Sequence, residues 1–183
     1  SIFVPQVKRM KLFIFSLLSL FTLVFVPSAD EQLDDADTIA ITKANFLFQF
    51  ASFNDWPEER KKGSFKIGVV GNDNLYKEMV EKYASKAVGS QALEVFRMDK
   101  ISPGQFFHII YIDAGATANL PAIVKAVGTD PTLIVANGRD VLQKGAAISF
   151  VPVDGMVRYA INADEVGKRK LTIGSRIQLW AVN

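Results

Sequence analysis

The chain has no cysteine and a single histidine among its 183 residues. The absence of cysteine excludes disulfide bonds, thiolate metal ligands and cysteine nucleophiles. The lack of a second histidine excludes paired-histidine zinc motifs such as HExxH. No internal repeat, low-complexity tract or interdomain linker is found, and 49% apolar with 22% charged residues is globular composition. The length suits one domain with its own core.

The first thirty residues predict export. Three basic residues, the last of them Lys11, precede a mainly apolar run over 12–26, and small residues follow at Ser28 and Ala29. This is the order of a secretory signal peptide, with cleavage after Ser28 or after Ala29. The alternative is an uncleaved membrane anchor, but a 15-residue run is short of the roughly 20 residues that a span needs. We therefore predict that residues 1–29 are a leader that includes a cleaved signal peptide.

The leader also accounts for the positive net charge. Residues 1–29 carry three basic and no acidic residues, which leaves 18 basic and 19 acidic residues in the rest of the chain. Binding to a phosphate backbone requires a basic surface. The charge balance therefore predicts no nucleic-acid partner.

Hydrophobic periodicity and turn residues divide residues 38–183, taken as one domain, into alternating helices and strands. We predict helices at Thr38–Asn54, Asn74–Lys86, Asn119–Val127 and Ala163–Lys170, and strands at Phe65–Gly71, Leu93–Met98, His108–Asp113, Thr132–Ala136, Ala146–Val151 and Met156–Asn162. Residues 171–183 fit either state. The fold class is α/β: a single-domain mixed β-sheet flanked by helices on both faces. Asp154-Gly155 predicts that its last two strands form a C-terminal β-hairpin.

Residues that perform catalysis are largely missing from this sequence. His108 opens a central strand and has no second metal-binding or acid–base residue at motif spacing, so it is interpreted as a buried, hydrogen-bonded core residue. No serine lies in a GxSxG motif. We therefore predict that the protein is not an enzyme and holds no metal or cofactor.

Two turns follow strands at positions where open α/β sheets bind ligands. The first contains Gly71, Asn72 and Asp73, and the second contains Asn137 and Arg139. Neither has the glycine pattern of a nucleotide-binding loop. Ordinary turn chemistry is the favoured interpretation, and a small-ligand site is the alternative.

The first helix has an apolar half and a second face with two isolated apolar residues. The apolar half, expected to face the core, comprises Ile39, Ala40, Ala44, Phe46, Leu47, Phe50, Ala51 and Phe53. Ile41 and Phe48 lie opposite and, with Trp180 near the C-terminus, are candidate partner-binding residues. Lys43 projects from the apolar half. It is expected either to extend past the sheet or to pair with a carboxylate or carbonyl, and a structural pairing is favoured over catalysis.

The order of the motifs resembles the YfiR-like family. The resemblance opens with KANFL at 43–47, Phe50, Phe53 and Trp56-Pro57, and continues through FKIGVVGND (65–73), HIIYI (108–112), GAAISF (145–150), VRYAIN (157–162) and LTIGSRI (171–177). It therefore covers about residues 40–180. Family members often carry a cysteine beside the histidine, where this chain has Phe107, so a redox-controlled mechanism is not implied here.

The resemblance implies a periplasmic, non-catalytic regulator. Such a protein holds an inner-membrane diguanylate cyclase inactive by binding its periplasmic region, and related domains serve membrane histidine kinases. The implied partner is thus a membrane signalling protein, with a homodimer as a further option. The alternative function is a periplasmic small-molecule binding sensor, which would need an apolar pocket near the two turns.

Overall fold

The computed structural model describes residues 29–182 of the chain. Residues 1–28, which hold nearly all of the predicted leader, and Asn183 lie outside the described part. Within that part, no helix is both long enough and apolar enough to cross a membrane.

Helices and strands alternate along the described residues much as the sequence predicts. The helices are α1 (Ala29–Phe53), α2 (Asp73–Tyr83), α3 (Leu120–Val127), α4 (Ala163–Lys168) and α5 (Ser175–Trp180). The strands are β1 (Phe65–Val70), β2 (Ala87–Val88), β3 (Gln91–Arg97), β4 (Ile109–Ile112), β5 (Leu133–Asn137), β6 (Ile148–Val153) and β7 (Met156–Ile161). Short 3₁₀ turns lie at Glu58–Arg60, Ala114–Asn119 and Arg139–Lys144. β2 and the 3₁₀ turns have no counterpart in the prediction. Residues 171–182, which fit either state by sequence, form an isolated β-bridge at Thr172 and then the helix α5.

The strands form one mixed sheet in the order β2-β3-β1-β4-β5-β6-β7. The five inner strands are parallel, and β2 and β7 pair antiparallel at the two edges. Asp154 and Gly155 both have positive φ angles, 50° and 74°, as the tight turn between β6 and β7 requires. The predicted mixed sheet with a C-terminal hairpin is confirmed.

Helices cover both faces of this sheet. On one face α1 and α2 bury Leu47, Phe50, Leu75 and Met79 against the strands. On the other face α3 buries Leu120, Ile123 and Val127 against alternate residues of the same strands. Every residue of β4 is buried, because a central parallel strand has helices above and below it. The predicted α/β class is therefore confirmed.

α1 is longer than the sequence predicts. It begins at Ala29 rather than near Thr38, and no Gly or Pro interrupts residues 29–54 to force a later start. Its end agrees with the prediction. Asn54 follows the last turn and its Oδ1 accepts a hydrogen bond from Gly174 N at 3.1 Å. A Cβ on Gly174 would collide with the carbonyl oxygen of Phe53, so glycine permits the C-terminal segment to approach α1.

Pro152 lies in β6, the neighbour of the edge strand β7, which agrees with the expectation that a proline here marks a strand near an edge or at a bulge. Phe150 directs its carbonyl toward the β5 side, where Gly138 N donates to it at 3.0 Å. Pro152, two residues on, points the same way. β5 ends at Asn137, which pairs with Phe150. No residue of β5 therefore lies opposite Pro152, and the N–H that proline lacks is not needed for pairing with β5. The proline is tolerated because the sheet is only two strands wide at this point.

Candidate functional site

Polar side chains meet where the central parallel strands end. β1 leads through α2 to β3 on one side, whereas β4 leads through α3 to β5 on the other. The boundary between β1 and β4 is therefore the topological switch point, where open α/β sheets form their binding crevice. The residues that follow these strands lie there.

Five side chains form a connected group at the switch point: Lys43, Asn72, Tyr111, Asp113 and Asn137, called the polar cluster below. Its centre is Asp113 Oδ1, which accepts hydrogen bonds from Tyr111 OH at 2.6 Å, Asn72 Nδ2 at 3.0 Å and Asn137 Nδ2 at 3.2 Å. Lys43 Nζ lies 3.6 Å from the same oxygen. Lys43 also donates to Tyr111 OH at 3.0 Å, and Asn137 donates to that hydroxyl at 2.7 Å. The cluster therefore connects α1 to the carboxyl ends of three strands, β1, β4 and β5.

The turn after β1 is shaped for this arrangement. Asn72 Oδ1 accepts a hydrogen bond from Leu75 N at 2.8 Å and so caps α2. Its Nδ2 stays available for Asp113. Gly71 has a φ of 78°, and a Cβ there would lie 2.6 Å from the Cβ of Ala116. Glycine at 71 therefore lets the 3₁₀ turn after β4 close over this end of the sheet.

Burial and neighbouring charges set the protonation states of the cluster. Burial would raise the pKa of Asp113, but hydrogen bonds from Tyr111 and Asn72 and the charge of Lys43 hold it below its ordinary value. Burial lowers the pKa of Lys43, and Asp113 partly restores it. Burial and the Asp113 carboxylate raise the pKa of Tyr111. At neutral pH the cluster therefore holds an ionised Asp113 and a protonated Tyr111.

This geometry suits a structural tie better than acid–base catalysis. A general acid or base works best with a pKa near the operating pH, whereas Tyr111 and Asp113 are both shifted away from neutrality. Tyr111 and Asp113 also make their hydrogen bonds to side chains of the protein itself rather than presenting these groups to a substrate. Among the described residues, no group of three His, Asp or Glu side chains is placed to hold a metal ion.

The residues of the two turns that the sequence singles out lie in different surroundings, and one from each turn belongs to the polar cluster. Asn72 and Asn137 come together on Asp113. Gly71 is covered by Ala116. Asp73 pairs with Arg97 Nε at 3.0 Å on the surface, and Arg139 is exposed.

A shallow depression of about 450 Å³ lies next to Asn137. Its walls include Ala114, Thr117, Leu120 and Asp140. The second of the two predicted turns therefore borders an open space.

Sequence reasoning predicts the pairing of Lys43 but misses Tyr111 and Asp113. A signal for them exists. Tyr111 and Asp113 are two residues apart at the end of an otherwise apolar strand, so both side chains lie on one face. Tyr111 belongs to the core on the α1 side, the side from which Lys43 projects. Of the two alternatives for Lys43, pairing with a carboxylate is the one that the structure shows.

His108 lies at the opposite end of the sheet and is a core residue, as predicted. Its Nδ1 accepts a hydrogen bond from Lys66 N at 3.0 Å. Its Nε2 lies 2.7 Å from the carbonyl oxygen of Arg60, which fixes Nε2 as the donor. Its ring stacks on Phe65 at 4.2 Å. Burial lowers the pKa of His108, so the neutral ring with both nitrogens engaged is the folded form.

The three predicted partner-binding residues lie in separate places. Ile41 is exposed, with 42% of its surface accessible, and borders a depression between α1 and α2. Phe48 stacks on Tyr83 of α2 with ring centroids 4.7 Å apart and is half-buried. The expectation that Phe48 points into solvent is wrong, because α2 packs against that face of α1. Trp180 is 59% exposed.

Trp180 borders an apolar groove between α1 and the start of β7. The α1–β7 groove has a volume of about 400 Å³ and is lined by Thr38, Ile39, Thr42, Phe46, Gly155, Met156, Val157, Arg158 and Trp180. Ile39 and Met156 are 44% and 56% exposed. The sequence predicts Ile39 and Phe53 in the core, which is wrong. The buried stripe of α1 runs through Ala40, Ala44, Leu47 and Ala51, so Ile39 and Phe53 lie at its margins.

The chain is thus a doubly wound α/β domain whose polar groups at the switch point are hydrogen-bonded to one another. A family model described as YfiR/HmsC-like matches residues 41–179. The chain therefore belongs to the YfiR/HmsC-like family. At the level of the family, membership supports a periplasmic regulator of cyclic di-GMP signalling that interacts with a membrane signalling protein. No curated protein matches the chain significantly.

Proposed function

We propose that this chain is a secreted periplasmic regulator without catalytic activity. It represses a membrane-bound diguanylate cyclase by binding the cyclase's periplasmic region. The observation that carries the proposal is the family match across residues 41–179. The polar cluster supports it, because the groups that an enzyme would present to a substrate are hydrogen-bonded to one another.

Repression needs a binding surface with different affinity for two states of the cyclase. A ligand that binds both states equally shifts no equilibrium. A few exposed apolar or aromatic anchors supply most of the energy of such an interface. Ile41 and Trp180 are exposed candidates for such anchors.

The test is genetic and chemical. Deleting the gene in a strain that carries the partner cyclase should raise cyclic di-GMP and surface attachment, and expressing the chain again should restore both. The same deletion in a strain without the cyclase is the control and should change neither. Unchanged cyclic di-GMP in the first strain would refute the repressor role.

A second candidate, a periplasmic small-molecule binding sensor, is favoured by the depression beside Asn137. A screen of small polar metabolites by protein NMR would support the sensor if amide shifts concentrate at Thr117, Asn137 and Asp140. Absence of any saturable shift would remove it.

A further inference from the structure

The outer edge of β7 is only partly occupied. Val182 N donates to the carbonyl oxygen of Tyr159 at 2.8 Å, so the chain's own C-terminal segment lies beside β7 as an extended strand would. Backbone groups of alternate strand residues point to the same side. Val157 therefore directs its N–H and C=O outward, as Tyr159 does. No partner for these two groups is present in the described part of the chain.

The α1–β7 groove adjoins these open backbone groups. The side chain of Val157 packs on the α1 side of the sheet and forms part of the groove wall. A residue paired with Val157 on an added strand would place its side chain on the same face. That side chain would enter the groove, between Ile39 and Trp180.

We propose that this site binds an extended segment of another protein by β-strand addition to β7. One residue of the segment exchanges two backbone hydrogen bonds with Val157 and inserts an apolar side chain into the α1–β7 groove. Backbone bonding supplies affinity and the groove supplies selectivity, as in other strand-addition sites. The proposal rests on the proposed function, since the segment would come from the periplasmic region of the regulated membrane protein.

The C-terminal segment disfavours a second copy as the occupant. Symmetric antiparallel pairing of two β7 strands about Val157 would bring residue 155 of one copy opposite Tyr159 of the other. That position is already taken by Val182. A foreign segment that pairs with Val157 and leaves the sheet toward Gly155 meets no such obstacle.

The first test uses a short peptide as the probe. The acetylated and amidated peptide Ser-Thr-Phe-Thr-Ser should bind saturably, shift the emission of Trp180 in the groove, and perturb the Val157 amide in NMR spectra. The control peptide is identical except for an N-methyl group on the phenylalanine nitrogen, which removes one backbone donor. It should bind at least about tenfold more weakly, the loss expected for one essential contact. Equal binding of the two peptides would overturn strand addition.

The second test uses matched variants of the full chain. Ile39→Glu places a charge in the groove and should weaken peptide binding by roughly tenfold or more. Leu179→Glu makes the same kind of change at an 82% exposed residue that does not line the groove, and should leave binding unchanged. Val157→Pro removes the outward N–H, which is one of the two backbone groups proposed to bond the peptide, and should weaken peptide binding. It removes no bond to β6, because proline is tolerated at such edge positions. If Val157→Pro folds poorly, Ile39→Glu still tests whether the peptide binds in the α1–β7 groove.

These tests separate the site from the proposed function. If the wild-type chain lowers cyclic di-GMP and Ile39→Glu does so equally well, strand addition at this groove is wrong and the regulatory role stands. If the wild-type chain has no effect on cyclic di-GMP but binds only the unmethylated peptide, the regulatory role fails and the site stands. A wild-type dimer that Ile39→Glu converts to a monomer would instead assign the groove to a second copy.

Discussion

His108 connects two backbone segments through both of its ring nitrogens. One nitrogen accepts from the amide of Lys66 in β1, and the other donates to the carbonyl of Arg60 in the preceding turn. An unpaired buried polar group costs about 1–3 kcal/mol. The histidine therefore fixes the entry into β1, and any charge it gains on protonation must be accommodated in a buried place.

The single histidine allows a clean pH experiment. The pKa of His108 is lowered by burial in the fold, so the unfolded chain takes up a proton first as the pH falls. The free energy of unfolding should be constant above pH of about 6.5 and decline below it. His108→Ala should destabilise the protein by about 2–3 kcal/mol at pH 7.5, because it leaves the Lys66 amide unpaired and leaves a cavity where the buried ring was. The Arg60 carbonyl keeps its hydrogen bond from Gln91 Nε2. Urea unfolding at pH 7.5, 6 and 5 measures both effects.

The variant also provides the control for this experiment. In His108→Ala the decline between pH 6.5 and 5 should disappear, although the overall stability is lower. A decline of equal slope in both proteins would show that another group titrates in this range.

Asp113 should contribute strongly to stability. Asp113→Asn leaves Lys43, whose side chain is 11% exposed, without its counter-charge, and breaking a buried pair in this way costs about 3 kcal/mol. Because the pKa of Asp113 is lowered in the fold, its contribution is present above the unfolded value of about 4 and lost as the pH falls below it. Chemical denaturation at pH 7 measures the cost.

Two further variants isolate the pair. Asp140→Asn removes the carboxylate of an exposed pair with Lys144 and should leave the stability almost unchanged, because solvent screens such a pair. Adding Lys43→Met to Asp113→Asn should recover part of the loss, because no buried charge then remains unpaired. Additive losses in the double variant would contradict a coupled pair.

At the scale of elements, α1 shares one face of the sheet with α2. Its small residues Ala40 and Ala44 are buried, while Lys43 reaches the polar cluster from the same helix. The flank that carries Phe48 packs on α2 rather than facing solvent. The helical periodicity separates the two faces of α1. It does not reveal that a second helix, α2, covers the face that carries Phe48.

Phe48 and Ile41 should therefore respond differently to truncation. Phe48→Ala removes the stack on Tyr83 and should lower the free energy of unfolding by about 2 kcal/mol, less than for a fully buried phenylalanine. Ile41→Ala is the matched control and should cost less than about 0.5 kcal/mol, as for an exposed site. Thermal and urea unfolding compare the two. A stability for Phe48→Ala equal to that of the wild type would mean that the aromatic stack contributes nothing.

At the scale of the molecule, local signals account for most of the fold. The continuous apolar runs of β4 and β5 and the Asp154-Gly155 turn correctly predict a mixed sheet with helices on both faces. Long-range geometry accounts for what the sequence does not reveal. A lysine on the apolar half of α1 predicts a polar partner. That the partner is Asp113, 70 positions away, follows from the order of the strands, which the local sequence does not reveal. Ile39 has the right spacing for the core and yet lies at the margin, because burial depends on where the sheet ends beneath α1.

The predicted leader decides where the whole molecule acts, and export can be tested directly. The mature protein should begin at Ala29 or Asp30 and be recovered from the periplasm, since a basic stretch, a short apolar run and small residues precede that position. Leu18→Arg interrupts the apolar run with a charge, which disfavours insertion by about 2.5–3.5 kcal/mol, and should leave the uncleaved precursor in the cytoplasm. Leu179→Glu, far from the leader, should be exported normally. N-terminal sequencing that finds residues 12–26 retained in the membrane fraction would instead make the chain a membrane-anchored regulator, with the same domain facing the periplasm.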